Sequence, residues 1–210
     1  SRLSQIRFRC GHPLLNGAAL RDLHAREKLV DTPDADVSEG IAVGVDLSGF
    51  GPDSLIGYRA KRHTGLIDVD RRNGYDVLDF WEPMAARADR SLVLDPNEFY
   101  ILASKEAVQV PPDYASEMVP VDPLVGEFRV HYAGFFDPGF GHSSGHGEGA
   151  RAVLEVRSHE VPFILEDGQV IGRLVYEPLT EVPSQVYGQG IGSNYQRQGL
   201  KLSKHFRPYD

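Results

Sequence analysis

Glycine and proline punctuate this chain from end to end: 22 glycines and 14 prolines fall among 210 residues. Short apolar runs lie between them, and runs of that length bounded by turn residues predict an all-β fold. The strand-like runs are 41–47 (IAVGVDL), 55–59 (LIGYR), 66–69 (LIDV), 91–94 (SLVL) and 98–103 (EFYILA). They continue at 106–110 (EAVQV), 128–136 (FRVHYAGFF), 151–157 (RAVLEVR), 161–165 (VPFIL) and 169–177 (QVIGRLVYE). About ten short strands with turns between them predict a barrel or jelly roll. One stretch, 76–84 (DVLDFWEPM), fits either a short helix or a further strand.

Residues 18–30 (AALRDLHAREKLV) predict the one clear helix, with Leu20, Leu23 and Leu29 on one face and Asn16 placed to cap it. The polar stretch 31–40 (DTPDADVSEG) reads as a linker. Residues 2–9 read as a strand, and 1–8 (SRLSQIRF) echo 169–176 (QVIGRLVY), with Leu3 matching Ile171, Ile6 matching Leu174 and Phe8 matching Tyr176. Chance similarity between alternating strands is one reading of this echo; a tandem duplication is the other. The expected organisation is a trailing strand of an upstream copy at 1–15, a helix and linker at 16–39, and the main domain at 40–210.

The formal net charge is −8, which argues against a general nucleic-acid binder, because such affinity comes from neutralising phosphates. Local convergence of a few cations still permits a small anionic ligand. The single cysteine, Cys10, allows no internal disulfide and no cysteine-based zinc site, which points to a reducing, cytoplasmic compartment. No apolar run reaches the roughly 18 residues of a membrane span. The polar start Ser1-Arg2-Leu3 shows no signal peptide, and the missing initiator Met fits a processed product or the C-terminal part of a longer chain.

Four features carry chemistry. In the strand at 151–157, Val153, Glu155 and Arg157 share one face while Leu154 and Val156 share the other. A carboxylate among apolar neighbours is partly desolvated, which raises its pKa toward the range useful for proton transfer. The structural alternative is a solvent-facing Glu155 paired with Arg151 or Arg157. Next, Phe135-Phe136-Asp137-Pro138-Gly139-Phe140-Gly141 runs two aromatics into a turn, placing Asp137 and Phe140 at a strand end, or forming a turn and nothing more. Third, the loop 141–149 (GHSSGHGEG) holds His142, His146 and Glu148, but ordering so many glycines to bind a metal is entropically costly, so no metal ligands are assigned. Fourth, the tail 187–204 combines glycines with Tyr187, Tyr195, Gln198 and Lys201. Rings stack on bases, amides read base edges and lysines meet phosphates. A mobile polar terminus is the structural alternative. No phosphate loop ending in Gly-Lys-Ser/Thr is present, and one cysteine cannot supply the Pro-Cys-x-x-Cys of the zinc deaminases.

Taken in order, Val43-Gly44-Val45-Asp46-Leu47, the Phe135–Gly141 turn, Val153-Leu154-Glu155-Val156, residues 168–179 (GQVIGRLVYEPL) and Tyr195-Gln196-Arg197-Gln198-Gly199 make residues 40–204 resemble the dCTP deaminases, metal-independent members of the dUTPase-like superfamily. The resemblance implies a distorted jelly-roll β-barrel and a homo-oligomer, trimer or pseudo-trimer, with sites between subunits. It implies a deoxynucleoside triphosphate substrate, converted from dCTP to dUTP and ammonia. Glu155 falls on the family's general base and Ala133 on a backbone carbonyl that holds the attacking water. Asp137 falls on a deoxyribose contact with Phe140 nearby, and Ala152 and Val153 on backbone presented to the base. Tyr187 and Gln198 fall where the tail closes over the triphosphate. Mg²⁺ would accompany the phosphates and take no catalytic part.

One departure stands out. Where the family carries an Arg-Ser-Ser-rich element that grips the triphosphate, this chain has 120–129 (PVDPLVGEFR), with acids in place of paired serines. The chain resembles the C-terminal half of a fused double-domain member, with the missing element supplied by an upstream domain or another subunit. The alternatives are a dUTP diphosphatase and a non-catalytic assembly domain of the same fold.

Overall fold

The alternating runs fold into strands wherever each can bury one face and hand its backbone to a neighbour. The computed structural model describes residues 14–33, 35–120, 128–131, 134–142, 149–158, 160–187 and 200–209. In chain order the elements are α1 (Gly17–Glu27), β1 (Ile41–Gly44), β2 (Leu55–Ala60), α2 (Val77–Phe80), β3 (Trp81–Ala85), β4 (Ser91–Leu94) and β5 (Tyr100–Val108). There follow β6 (Tyr114–Pro120), β7 (Phe128–His131), β8 (Phe135–Phe136), β9 (Ala150–Ser158), β10 (Phe163–Glu166) and β11 (Val170–Pro178). The strands form three antiparallel sheets in the orders β1-β11-β6-β8, β10-β4 and β3-β2-β5-β9-β7. The all-β expectation holds. The hydrogen-bonded sheets do not close into a continuous ring among the described residues.

The main core lies between these sheets. Ile41 and Val43 of β1, Leu102 of β5, Leu154 and Val156 of β9 and Leu174 and Tyr176 of β11 are all essentially inaccessible. The Tyr176 hydroxyl avoids an unpaired burial by donating to the Gln109 carbonyl at 2.9 Å. Helix α1 adds Leu20 and Leu23 to this core. Asn16 stands at its N-cap with extended backbone, but its side chain makes no capping bond. The predicted helix over 18–30 runs three residues too far. Lys28 turns left-handed (φ 49°) and ends it, so Leu29 and Val30 enter the core from extended chain instead.

Other differences have local causes. The predicted strand at 66–69 is an exposed loop, with Leu66 96% and Val69 70% accessible. Asp68 diverts that chain into a turn by accepting the Asp70 N–H at 3.0 Å on its side chain and the Arg71 N–H at 3.2 Å on its carbonyl. The ambiguous stretch 76–84 is both alternatives in succession: Asp76 caps α2 by accepting the Leu78 N–H at 2.9 Å, and Trp81 then leads into β3. The runs 98–103 and 106–110 merge into one bulged strand, β5. The run 128–136 splits into β7 and β8, which belong to different sheets. Strand β6 carried no signal in the sequence reading because its interior includes Ser116 and Glu117. Its place between β11 and β8 still buries Ser116, whose hydroxyl donates to the Val175 carbonyl at 3.0 Å. The echoing segment 1–9 and Cys10 lie outside the described residues.

Candidate active site on strand β9

Strand β9 alternates as its sequence requires. Ala152, Leu154 and Val156 are buried, Val153 and Glu155 are half-buried, and Arg157 is exposed. Its neighbours fix where Glu155 stands. Across the five-stranded sheet, Pro83 of β3, Tyr58 of β2, Ile101 of β5, Glu155 of β9 and His131 of β7 are successive cross-strand partners. Two members of that row, Tyr58 and Ile101, are buried, although they lie on the face away from the main core.

The cover over this face is the C-terminal segment. Leu202 and Phe206 bury themselves with Tyr58, Val77 and Ile101, and Leu200 and Val153 pack against the same cluster. The Phe206 ring sits among Tyr75, Phe80 and Trp81 at centroid distances of 6.4, 5.6 and 6.1 Å. The tail backbone is tied down by Gly74 N–H to the His205 carbonyl at 2.9 Å and Arg207 N–H to the Tyr75 carbonyl at 3.0 Å. Burial, followed by the neighbouring Tyr209, pushes the Tyr58 phenol up to about 12, so it stays a neutral hydroxyl at physiological pH. Arg157 lays its guanidinium 5.0 Å from the centroid of the Phe99 ring.

A second group of predicted residues converges at the Asp-Pro-Gly turn. The Asp137 carbonyl accepts the Phe140 N–H at 3.0 Å, and Gly139 and Phe140 exchange bonds with Val110 at 3.0 and 2.8 Å. Gly141 (φ 63°) is required here, because a Cβ would stand 2.3 Å from the Val108 carbonyl oxygen and 2.8 Å from Ala150 N. Phe140 is buried and packs edge-on to Phe136 at 4.9 Å. Tyr187 joins it, with ring centroids 5.5 Å apart and its N–H on the Pro138 carbonyl at 2.7 Å. Asp137, Phe140 and Tyr187 therefore form one corner, braced against the first residue of β9, while Val153 and Glu155 lie farther along the same strand.

Ala152 is fully buried and its N–H donates to Ser104 Oγ at 2.8 Å, so its N–H and side chain are spent inside the protein. Lys201 is half-buried in the covering segment. Ala133, Tyr195 and Gln198 lie outside the described residues, as do residues 121–127 of the divergent stretch, His146 and Glu148. His142 places Nε2 4.0 Å from Glu27 of α1. Among the described residues no three His, Cys, Asp or Glu groups converge as a metal site.

Sequence reading missed a polar knot beside the start of β9. Between Ala103 and Ala107 strand β5 bulges, so that Ser104, Lys105 and Glu106 stand opposite the single residue Ala152. Arg151 reaches over the bulge with Nη1 3.0 Å from Asp46 Oδ2 and 2.8 Å from the Ser104 carbonyl, and it also meets the Lys105 carbonyl. Its guanidinium covers the Phe50 ring at 5.2 Å. Burial raises the Glu106 carboxyl above its ordinary range, against the Gly44 N–H that it accepts at 2.8 Å and the nearby Arg151 charge. The signal was present in the sequence: Ser104-Lys105-Glu106 interrupts an otherwise apolar run.

The chain matches the family model described as 2'-deoxycytidine 5'-triphosphate deaminase (DCD), C-terminal domain, over residues 16–206. It belongs to the dCTP deaminase family. Within that family it is similar to the "dCTP deaminase, dUMP-forming" of Beutenbergia cavernae, with 33% identity over 156 residues, 69% of this chain and 76% of that protein. The protein of the same description from Streptomyces coelicolor is 33% identical over 162 residues, 73% of this chain and 81% of that one. The crystal structure of 2'-deoxycytidine 5'-triphosphate deaminase from Agrobacterium tumefaciens aligns with a TM-score of 0.79 and 63% identity, covering 87% of this chain and 53% of that chain. This member of the dCTP deaminase family thus spans about half the length of that solved relative.

Proposed function

We propose that this chain carries the proton-transfer half of a dCTP deaminase site, with Glu155 as general base. The observation that supports it is the position of Glu155, half-buried on β9 beside the apolar cover of Val153 and Ile101, in a chain that belongs to this family. A carboxylate so placed takes a proton from water. The resulting hydroxide attacks C4 of cytosine, the proton of that hydroxyl ends on N3 as C4 becomes a carbonyl, and the proton held by the carboxyl passes to the amino group, which leaves as ammonia, so one group serves as base and then as acid. The Ala133 carbonyl holds the water, Asp137 contacts the deoxyribose beside Phe140, and Val153 borders the base, with Ala152 buried behind it. Tyr187, Tyr195, Gln198 and Lys201 close on the triphosphate. Mg²⁺ would accompany the phosphates of the substrate.

The grip on the triphosphate comes from outside residues 120–129, from an upstream domain or another subunit of a trimer or pseudo-trimer. The match to about half of a longer solved chain favours this arrangement. Ammonia release from dCTP by the full-length assembled protein tests the reading. Glu155→Gln is expected to lower turnover by roughly 10²–10⁴-fold while nucleotide binding persists. Retained turnover removes Glu155 from the mechanism.

The names of the Beutenbergia cavernae and Streptomyces coelicolor relatives favour a second product, since they describe dUMP-forming enzymes. Chromatography of the products decides it. dUTP with ammonia means deamination alone, and dUMP with ammonia and pyrophosphate means that hydrolysis follows. Pyrophosphate without ammonia, from dUTP, means a diphosphatase. No binding of dCTP or dUTP by the assembled protein means an assembly domain.

A further inference from the structure

We propose that Arg151 is a positioning residue for the β9 active face, acting through the bulge of β5; the proposal rests on the assignment of Glu155 above. An ordinary antiparallel ladder would supply a carbonyl for every inward N–H of β9. At Ala152 it does not, because β5 bulges away at Ser104–Glu106, and the Ser104 hydroxyl takes the carbonyl's place at 2.8 Å. That hydroxyl is itself held, donating to the Glu106 carbonyl at 2.7 Å, and Ser104 is fully buried. Register across the bulge therefore depends on a side chain, and something must hold the bulge in shape.

Arg151 does this from the adjacent position on β9. Its Nη1 gathers the carbonyls of Ser104 and Lys105, two consecutive residues of the bulge, onto one donor group. Asp46, 4% accessible, meets the same Nη1 with Oδ2 at 3.0 Å, and Asp46 Oδ1 is in turn held by the Ser48 N–H at 3.0 Å and the Ser48 hydroxyl at 2.5 Å. Phe50 closes the stack at 5.2 Å. The clamp links β1's continuation, β5 and β9 at one point. Val153 follows two residues on, at the first regular pair beyond the bulge (Ala103↔Val153), and Glu155 sits at the next pair on the same face (Ile101↔Glu155). A slip of one residue at the bulge would turn Glu155 to the opposite face.

The test uses the full-length assembled protein. In Arg151→Met, turnover per bound nucleotide is expected to fall at least tenfold with nucleotide affinity within twofold of the parent, and the Ala152 amide is expected to exchange with solvent at least tenfold faster. Arg151→Lys keeps the charge but not the planar fork, and is expected to lie between the two in both readouts. It carries the test if the Met variant does not fold. Unchanged turnover per bound nucleotide overturns the proposal, whatever the exchange shows. So does lost turnover with Ala152 exchange unaltered, since Arg151 would then act by another route. A parent protein that releases no ammonia would sink the deaminase assignment itself, an outcome recognisable before any Arg151 variant is made.

Discussion

The two ends of the β5–β9 pair are built by different physics. From Tyr100 to Ala103 the strands meet residue for residue against Val156 to Val153, and apolar side chains such as Leu102 and Leu154 fill the core beneath. From Ser104 to Ala107 the ladder is broken, and polar side chains replace it: the buried Ser104 and Asp46, with Arg151 and Glu106 half-buried alongside. The regular end is held by area removed from water, which tolerates small adjustments. The bulged end is held by hydrogen bonds of fixed length and direction, which do not. A strand that must both stay in the core and present a carboxylate at a set position uses the first for stability and the second for register.

The comparison can be broken most severely at its apolar end. Leu154→Ala is expected to cost about 2–5 kcal/mol, read as a shift in the denaturation midpoint, because Leu154 is 1% accessible and its removal leaves a cavity. Ser104→Ala tests the other end and should cost about 1–3 kcal/mol, the penalty for leaving the buried Ala152 N–H without an acceptor. A loss far below that range would mean that the bulge relaxes to supply a carbonyl. The smallest effect is expected away from both ends, at the rim pair Asp36–Arg173. The Arg173 guanidinium at 2.5 Å, then the Ser38 hydroxyl and N–H, hold the Asp36 carboxyl well below its ordinary 3.8. Its pKa is lower folded than unfolded, so its contribution is present above about pH 4 and lost as the pH falls further. Asp36→Asn should flatten that acid limb while changing neutral stability by less than ~1 kcal/mol, since both side chains are solvated. Urea midpoints at pH 7 and pH 3 measure both quantities.

Much of this architecture was legible in the sequence, for identifiable reasons. The alternation through 151–157 gave the faces of β9 because each of those residues is decided by its own polarity. The Asp-Pro-Gly turn was legible because its glycines answer a local steric demand. What escaped depends on distant neighbours. Strand β6 reads as polar and becomes a strand only because β11 and β8 flank it. The run at 66–69 reads as a strand and has no strand paired with it among the described residues. The docking of the tail onto the β9 face joins residues near 205 to residues near 75, and no short-range pattern encodes that. The clamp at Arg151 was hidden for the same reason, since Asp46 lies 105 positions away.

The docked tail also supplies an optical probe. The chain has one tryptophan, Trp81, and its indole lies against Phe206 and Phe99 at 6.1 Å from each ring. Selective excitation of that lone indole therefore reports whether residues 200–209 are seated over the strand bearing Glu155. Emission recorded during a nucleotide titration would follow tail seating in real time, with no label attached.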